Sequence, residues 1–174
     1  MISPLLQLNR TQLVPLPLDD AFAFYADVSN LEAITPPWLR FRILTPHPIV
    51  VDEGTLIDYR LALHGVPVQW RTQIERWEPA QCFVDRQIHG PFALWEHTHT
   101  FEEQSGGTLI RDRVEYRMPL GAVGRLAHRL LIGRDLERIF DYRHTAVAEL
   151  LGSSHVPQRV DDSPVAPAAA ARCG

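Results

Sequence analysis

Apolar and polar side chains alternate along the chain from Gly54 to Pro119, and after Pro119 the apolar residues recur at spacings of three and four. Alternation with period two is typical of half-buried β-strands, whereas the longer spacings are typical of an amphipathic helix. The pattern therefore predicts consecutive antiparallel strands followed by one helix of about 30 residues. Its spacing slips once, at Gly133. The apolar positions of the predicted helix are Val123, Leu126, Ala127, Leu130, Leu136, Ile139, Phe140, Val147 and Leu150.

The first part of the chain predicts a strand, two short helices and a second strand. Residues Leu5 to Pro15 alternate, and Asp19 then places negative charge where a helix start favours it. Asn30 begins a second short helix, and a short strand ends near Leu44. Two short helices are thus expected between strands 1 and 2.

The third and fourth strands meet at the dipeptide His64-Gly65. A two-residue turn there keeps the apolar faces of both strands on one side of the sheet. This hairpin predicts pairing of Leu63 with Val66, of Leu61 with Val68 and of Tyr59 with Trp70.

Polar side chains stand on the apolar faces of two later strands. His97 and His99 share a face with Trp95 and Phe101, and Asp112 lies on the apolar face of the next alternating run. A hairpin that pairs Phe101 with Ile110 places His99 opposite Asp112. Because an unpaired buried polar group costs about 1–3 kcal/mol, these side chains need partners.

Asp85 and Gln87 precede the turn Gly90-Pro91-Phe92, and their orientation depends on its length. A three-residue turn places Gln87 opposite Trp95 and Asp85 opposite His97, and so turns both inward. A two-residue turn instead points Asp85 outward, towards an arginine. We favour the inward register, in which Asp85 raises the pKa of its histidine.

Three interpretations of the histidines remain open. With Asp112 as third ligand, His97 and His99 could hold a metal ion in a two-histidine, one-carboxylate set. The candidate catalytic residues for general acid–base chemistry are the same three. The favoured interpretation is that the rings are buried, hydrogen-bonded residues that orient a ligand, without a metal or another cofactor.

Aromatic residues also share the apolar face of the sheet. One helix cannot fill the volume that seven strands enclose, so we expect a cavity of about 300–1,000 Å³. The candidate ligand-binding residues are Tyr59, Trp70, Asp85, Gln87, Trp95, His97, His99 and Tyr116.

Composition excludes several classes of function. The chain has 174 residues and a formal net charge of −4, which gives no reason to expect nucleic-acid binding. All 17 basic residues are arginines, and the lack of lysine excludes Schiff-base chemistry and a P-loop. No apolar run is long enough for membrane insertion, and no signal peptide or disulfide framework is evident. We expect a cytoplasmic protein.

The apolar face of the sheet must be covered, and the last helix is the long apolar element available. The expected fold is therefore α+β: a helix-grip fold in which a curved, seven-stranded antiparallel sheet wraps around a long C-terminal helix. Residues 1–152 form this single domain. Residues 153–174, rich in proline and alanine, have too few large apolar residues to fold and are expected to be disordered.

The run Phe83 to Phe92, followed by Trp95, His97, His99 and Gly107-Thr108, resembles a bacterial subgroup of the START/polyketide-cyclase (SRPBCC) superfamily. The subgroup is described as cyclase/dehydrase-like or ligand-binding, and its relatives are sometimes fused to epimerase-like domains. The resemblance implies a helix-grip fold and a functional association with an epimerase-like protein.

Two functions are compatible with these features. The first is binding of a hydrophobic small molecule, such as a lipid, an isoprenoid or a polyketide-like compound, in the internal cavity. The second is a cyclase/dehydratase-type enzyme that uses a histidine–carboxylate pair as general acid and base. We favour the binding function.

Overall fold

A computed structural model describes residues 4–152 as a curved antiparallel sheet with helices on one side. The seven strands are arranged in the order β1-β7-β6-β5-β4-β3-β2, so that β1 and β2 form the edges. The strands are β1 (Leu6–Val14), β2 (Arg42–Ile43), β3 (Leu56–Leu63), β4 (Val66–Glu78), β5 (Cys82–His89), β6 (Leu94–Gln104) and β7 (Gly107–Arg117).

The helices lie where the sequence predicts them. Two short helices and a 3-10 turn connect β1 to β2, and a long helical segment follows β7. They are α1 (Leu18–Ala26), α2 (Asn30–Ala33), the 3-10 turn Pro37–Leu39, α3 (Gly121–Ala127), a π-helical turn (His128–Ile132) and α4 (Gly133–Leu151). The predicted α+β helix-grip fold is confirmed.

Two hairpins have the predicted register. The two-residue turn at His64-Gly65 pairs Leu63 with Val66 and Tyr59 with Trp70. In the β6–β7 hairpin, His99 lies opposite Asp112 and Phe101 lies opposite Ile110. Because register decides which face each side chain occupies, these pairings place the polar residues inside the curved sheet.

The β5–β6 hairpin agrees only in part. Asp85 lies opposite His97, as the inward register predicts, but the strand pairing ends at Arg86 and Glu96. The register is the one that the three-residue turn predicts, but the strands separate beyond this pair, so the predicted pairing of Gln87 with Trp95 does not form. The amide of Gln87 instead binds the backbone of Phe92, donating to its carbonyl and accepting from its N–H.

The C-terminal helix does not bury one continuous apolar stripe. Leu136, Phe140 and Val147 on α4 are buried, whereas Val123, Leu126 and Leu130 are more than half exposed. The π-helical turn, which includes Leu130 and precedes Leu136, explains the difference, because a π turn holds more residues than an α turn and rotates the following helix. The slip at Gly133 is the sequence signal of this turn.

The core lies between the concave face of the sheet and α4, in two main clusters. Phe140 packs with Trp70 and Trp95 in one cluster, and Val147 packs with Phe83 and Phe101 in the other. The cavity described below reaches residues of both. No helix within residues 4–152 is long and apolar enough to cross a membrane. The predicted disordered tail, residues 153–174, lies outside the described residues.

Candidate functional site

A cavity of about 190 Å³ lies between the sheet, α1 and α4. It is smaller than the 300–1,000 Å³ that we expected, because aromatic rings occupy much of the enclosed space. Six of the predicted ligand-binding residues line it: Tyr59, Trp70, Asp85, Trp95, His97 and His99.

Aromatic side chains form one end of the cavity. The rings of Tyr59 and Trp70 stack at a centroid distance of 5.8 Å, and the ring of Trp95 meets Trp70 edge-on at 5.3 Å. Phe92, from the β5–β6 connection, lies 4.8 Å from Trp95. Such offset and edge-on contacts keep aromatic rings in fixed positions. This end of the cavity is therefore a rigid apolar surface.

The two histidines and Asp85 line the cavity beside these rings, on the same concave face of the sheet. Residues 97 and 99 project to the same face of β6 because side chains alternate along a strand. Their rings lie 3.8 Å apart between centroids, and the ring of Phe83 stacks 4.2 Å from that of His99. Asp85 on β5 is the more accessible acidic group, with a side chain 19 % exposed, against 10 % for Asp112.

Asp112 contacts both rings from β7 but does not line the cavity. His97 Nε2 donates a hydrogen bond of 3.0 Å to Asp112 Oδ1. His99 Nδ1 lies 2.7 Å from the same oxygen, but outside the alignment that a hydrogen bond requires. One carboxylate oxygen thus faces one nitrogen of each ring.

Asp85 lies near the remaining ring nitrogens. Its Oδ2 is 3.6 Å from His97 Nδ1 and 3.4 Å from His99 Nε2. Both distances exceed the usual 2.7–3.2 Å of an N–H···O hydrogen bond. The carboxylate–histidine pair predicted from the β5–β6 register is therefore present as a loose contact at the cavity wall.

The two histidines and the two carboxylates, Asp85 and Asp112, form one buried cluster. Burial is the largest influence on the pKa of each of them, and by itself it disfavours the charged form of every group. The nearby histidines nevertheless lower the pKa of Asp85 and of Asp112. The two carboxylates raise the pKa of His99. Burial and the neighbouring His99 lower the pKa of His97, opposite to the increase that we predicted for the histidine facing Asp85.

Two predicted ligand-binding residues lie away from the cavity lining. Gln87 is bound to the backbone of Phe92, as described above. The hydroxyl of Tyr116 lies 2.8 Å from His128 Nε2 on the π-helical turn, so it links β7 to the helix. In this structure both side chains stabilise the surroundings of the cavity.

Tyr25 and Arg143 are among the residues of the cavity lining that sequence reasoning missed. The ring of Tyr25, on α1, meets His99 edge-on at 5.8 Å. Arg143 shares the inward face of α4 with Phe140 and Val147, at spacings of three and four. A charged residue within an apolar stripe was the signal that could have identified it.

Two residues of the cavity lining, Trp70 and Arg143, have polar groups without a hydrogen-bond or ion-pair partner among residues 4–152. The buried indole Nε1 of Trp70 has no hydrogen-bond partner among residues 4–152. Arg143 forms no side-chain ion pair in the same range, although its charge lowers the pKa of Asp85. A hydrogen-bond acceptor and an anionic group are the ligand features that would satisfy them.

Comparison with known proteins supports the fold. A family model described as polyketide cyclase / dehydrase and lipid transport matches residues 14–140, well over half of the chain. No curated protein is similar enough in sequence to count as a relative.

Solved structures from several bacteria have the same architecture. The Zhui aromatase/cyclase from Streptomyces sp. R1128 is 13 % identical, with a TM-score of 0.61, over 88 % of this chain and 100 % of that one. A START superfamily protein from Mycobacterium smegmatis is 17 % identical, with a TM-score of 0.58, over 83 % and 98 % of the two chains.

A third similar structure is a nucleoside-diphosphate sugar epimerase from Corynebacterium glutamicum. It is 22 % identical, with a TM-score of 0.60, over 83 % of this chain but only 29 % of that one. At these identities the structural matches establish the fold alone, whereas the family model covers most of the sequence. The chain therefore belongs to the polyketide cyclase / dehydrase and lipid transport family.

Proposed function

We propose that this protein binds a compact hydrophobic small molecule in the cavity between the sheet and α4. The observation that carries the proposal is the composition of the cavity wall. Fixed aromatic rings and the buried cluster of Asp85, His97 and His99 lie side by side in this wall. A largely apolar cavity with a few converging polar groups is the usual form of a small-molecule site.

The wall also indicates the chemistry of the ligand. Aromatic faces favour a flat or ring-bearing molecule, and the unpaired Trp70 N–H favours an acceptor such as a carbonyl oxygen. Arg143 favours a carboxylate or another anionic group. Among lipids, isoprenoids and polyketide-like compounds, a volume of about 190 Å³ favours the compact members.

The comparisons support this class of ligand without identifying a member of it. The family description includes both polyketide cyclases and lipid transport, and one similar structure is an aromatase/cyclase. These proteins share a fold that encloses a cavity, so the proposal depends on the wall of this particular cavity.

Titration with 1-anilinonaphthalene-8-sulfonate, a compact aromatic anion, tests the proposal. Its fluorescence should rise on binding, with saturation at one molecule per chain. In Leu61→Trp the larger side chain should fill the cavity and abolish the increase, because Leu61 is buried in its wall. The matched control is Arg60→Trp, at an exposed neighbouring position, which should bind normally. Equal binding by both variants would contradict the proposal.

A second candidate function is a cyclase/dehydratase-type enzyme, and the orientation of His97 favours it. Asp112 fixes one ring nitrogen, the pKa of the ring is lowered, and the ring lines the cavity. A neutral, oriented imidazole is suited to remove a proton beside a carbonyl. NMR of cyclohexanone in D₂O tests this: the protein should accelerate exchange of the α-protons, and His97→Gln should not. Equal rates would exclude the enzyme function.

Two further proposals concern a partner protein and the cellular location. An epimerase-like protein is a proposed functional partner, supported by the solved epimerase of which one segment resembles this chain. Co-expression followed by affinity purification would test this association. The cytoplasmic location also remains a prediction, which cell fractionation would test.

A further inference from the structure

The acceptor atoms of Asp85, His97 and His99 meet at one point on the cavity wall. The carboxylate of Asp112 can only accept hydrogen bonds when ionised, so His97 Nε2 carries the proton that binds it. In the neutral ring, Nδ1 then has no proton and faces Asp85 Oδ2 at 3.6 Å. Two lone-pair-bearing atoms at this distance repel unless a positive charge lies between them.

The ring of His99 lies between the same two carboxylates with its nitrogens exchanged, but without an aligned hydrogen bond to Asp112. Its Nδ1 faces Asp112 at 2.7 Å, and its Nε2 faces Asp85 Oδ2 at 3.4 Å. One ring nitrogen of His97, one of His99 and a carboxylate oxygen of Asp85 all lie within 4.8 Å of one another. Each ring therefore directs one nitrogen to Asp112 and the other to Asp85.

The distances around Asp85 are those of ligands around a metal ion. Nitrogen and oxygen ligands bind a tetrahedral ion at about 2.1 Å, which places neighbouring ligand atoms about 3.4 Å apart. We propose that His97, His99 and Asp85 bind one divalent transition-metal ion at the cavity wall. Two imidazoles and one carboxylate suit Zn²⁺ or Fe²⁺, and leave coordination positions for water or a ligand in the cavity.

Charge and hydrogen bonding support the same assignment. When both imidazoles are neutral, as metal binding requires, the two ionised carboxylates carry a charge of about −2, which the nearby Arg143 offsets only in part and a divalent ion would balance further. Asp112 is then a positioning residue, because metal-binding histidines commonly donate their other ring N–H to a carboxylate. The set of metal ligands considered from the sequence contained Asp112 as the third ligand. In the set proposed from the structure, Asp85 takes that place.

This site does not depend on the proposed hydrophobic ligand. Protein dialysed against EDTA and then freed of chelator is titrated with ZnCl₂ in a calorimeter. We expect one ion per chain with micromolar or tighter affinity. Titration with Co²⁺ should produce a visible spectrum of a site with nitrogen ligands, which weak surface binding would lack.

Three variants separate the roles of His99, Asp85 and Asp112. His99→Gln and Asp85→Asn should each weaken Zn²⁺ binding at least 100-fold, whereas Asp112→Asn should weaken it 10–100-fold. The matched control is His64→Gln, which removes an exposed histidine paired with Asp135 and should leave binding unchanged. Circular dichroism confirms that each variant is folded.

The absence of one-to-one binding by the wild-type protein would overturn the metal site, and this measurement needs no variant. Binding that survives Asp85→Asn but is lost in Asp112→Asn would overturn the assignment of ligands. Uptake of 1-anilinonaphthalene-8-sulfonate by the same metal-free protein is measured separately, so failure of the metal site is distinguishable from failure of the ligand cavity.

Discussion

Asp112 on β7 accepts a 3.0 Å hydrogen bond from His97 on β6, with both side chains buried on the concave face of the sheet. The two residues are not directly opposite each other, because His97 pairs with Val114 and Asp112 pairs with His99. The contact is diagonal, and it allows one carboxylate to approach two rings of the same strand. The chemistry of the cavity wall depends on this arrangement.

The variant Asp112→Asn should lower the free energy of unfolding at pH 7 by roughly 2–4 kcal/mol, because it breaks a buried charged contact. The pKa of Asp112 is lower in the folded state, so its stabilising contribution is present above the unfolded pKa of about 3.9 and is lost as pH falls below it. Urea denaturation at pH 7 and below pH 4 measures the free energy of unfolding of both proteins. The difference between Asp112→Asn and wild type should be smaller at the lower pH.

The control for this measurement is Asp58→Asn, which breaks an exposed pair with Arg71 and should change stability little at either pH. A deficit of Asp112→Asn that stays constant with pH would contradict the role assigned to its charge.

The rings of His97 and His99 should titrate in separate steps. In metal-free protein, the step dominated by His97 should have a pKa below the ordinary histidine value of about 6.5. The step dominated by His99 should have a pKa above it. His99 therefore contributes stability below pH 6.5 that is lost as pH rises through its folded pKa. NMR of the ring carbons measures both steps, and His97→Gln and His99→Gln assign them. A single joint transition near 6.5 would contradict the prediction.

Gly107→Ala should destabilise the fold strongly. Gly107 has a φ of +144°, and a Cβ atom there would lie 1.9 Å from the carbonyl oxygen of Val14, on the paired edge strand. We expect the free energy of unfolding to fall by more than about 2 kcal/mol. Gly106→Ala is the matched control, because its φ of +98° is also unfavourable but no atom lies within 4 Å of the added Cβ. Equal losses in urea denaturation would show that the close approach is unimportant.

Arg143→Ala should weaken binding of 1-anilinonaphthalene-8-sulfonate by about tenfold, the contribution of one charge-assisted hydrogen bond. Arg143→Lys should recover part of the affinity. Arg138→Ala, which removes an arginine near the ring of Trp38 outside the cavity, should have no effect. An equal loss of affinity in both alanine variants would contradict a specific contact with Arg143 and would indicate that the net charge of the protein alone affects binding.

Much of the fold could be predicted because the side-chain period is two in the strands and close to 3.6 in the helices. Turn length together with that period determined the partners of Tyr59 and of His99. The β5–β6 connection was harder, since Phe83-Val84 is apolar on both faces and does not select a register. The register matched the prediction, but the pattern did not show that the strands separate before Gln87, whose amide binds the backbone of Phe92 instead.

The composition of the site was predictable, but its geometry was not. Alternation placed the histidines inside, yet which ring nitrogen faces which carboxylate depends on side-chain rotation. The cavity volume was overestimated because the pattern does not show how far aromatic rings extend. Arg143 was not predicted because the helix was identified from the spacing of its apolar residues, which does not reveal a charged residue on the same face.

Native mass spectrometry of the protein, as purified and after incubation with 1-anilinonaphthalene-8-sulfonate, tests the central claim most directly. We predict one small molecule bound per chain in wild type and in Arg60→Trp, and none in Leu61→Trp, whose side chain fills the cavity. No bound molecule in either sample of wild type, or equal occupancy in Leu61→Trp, would contradict the claim.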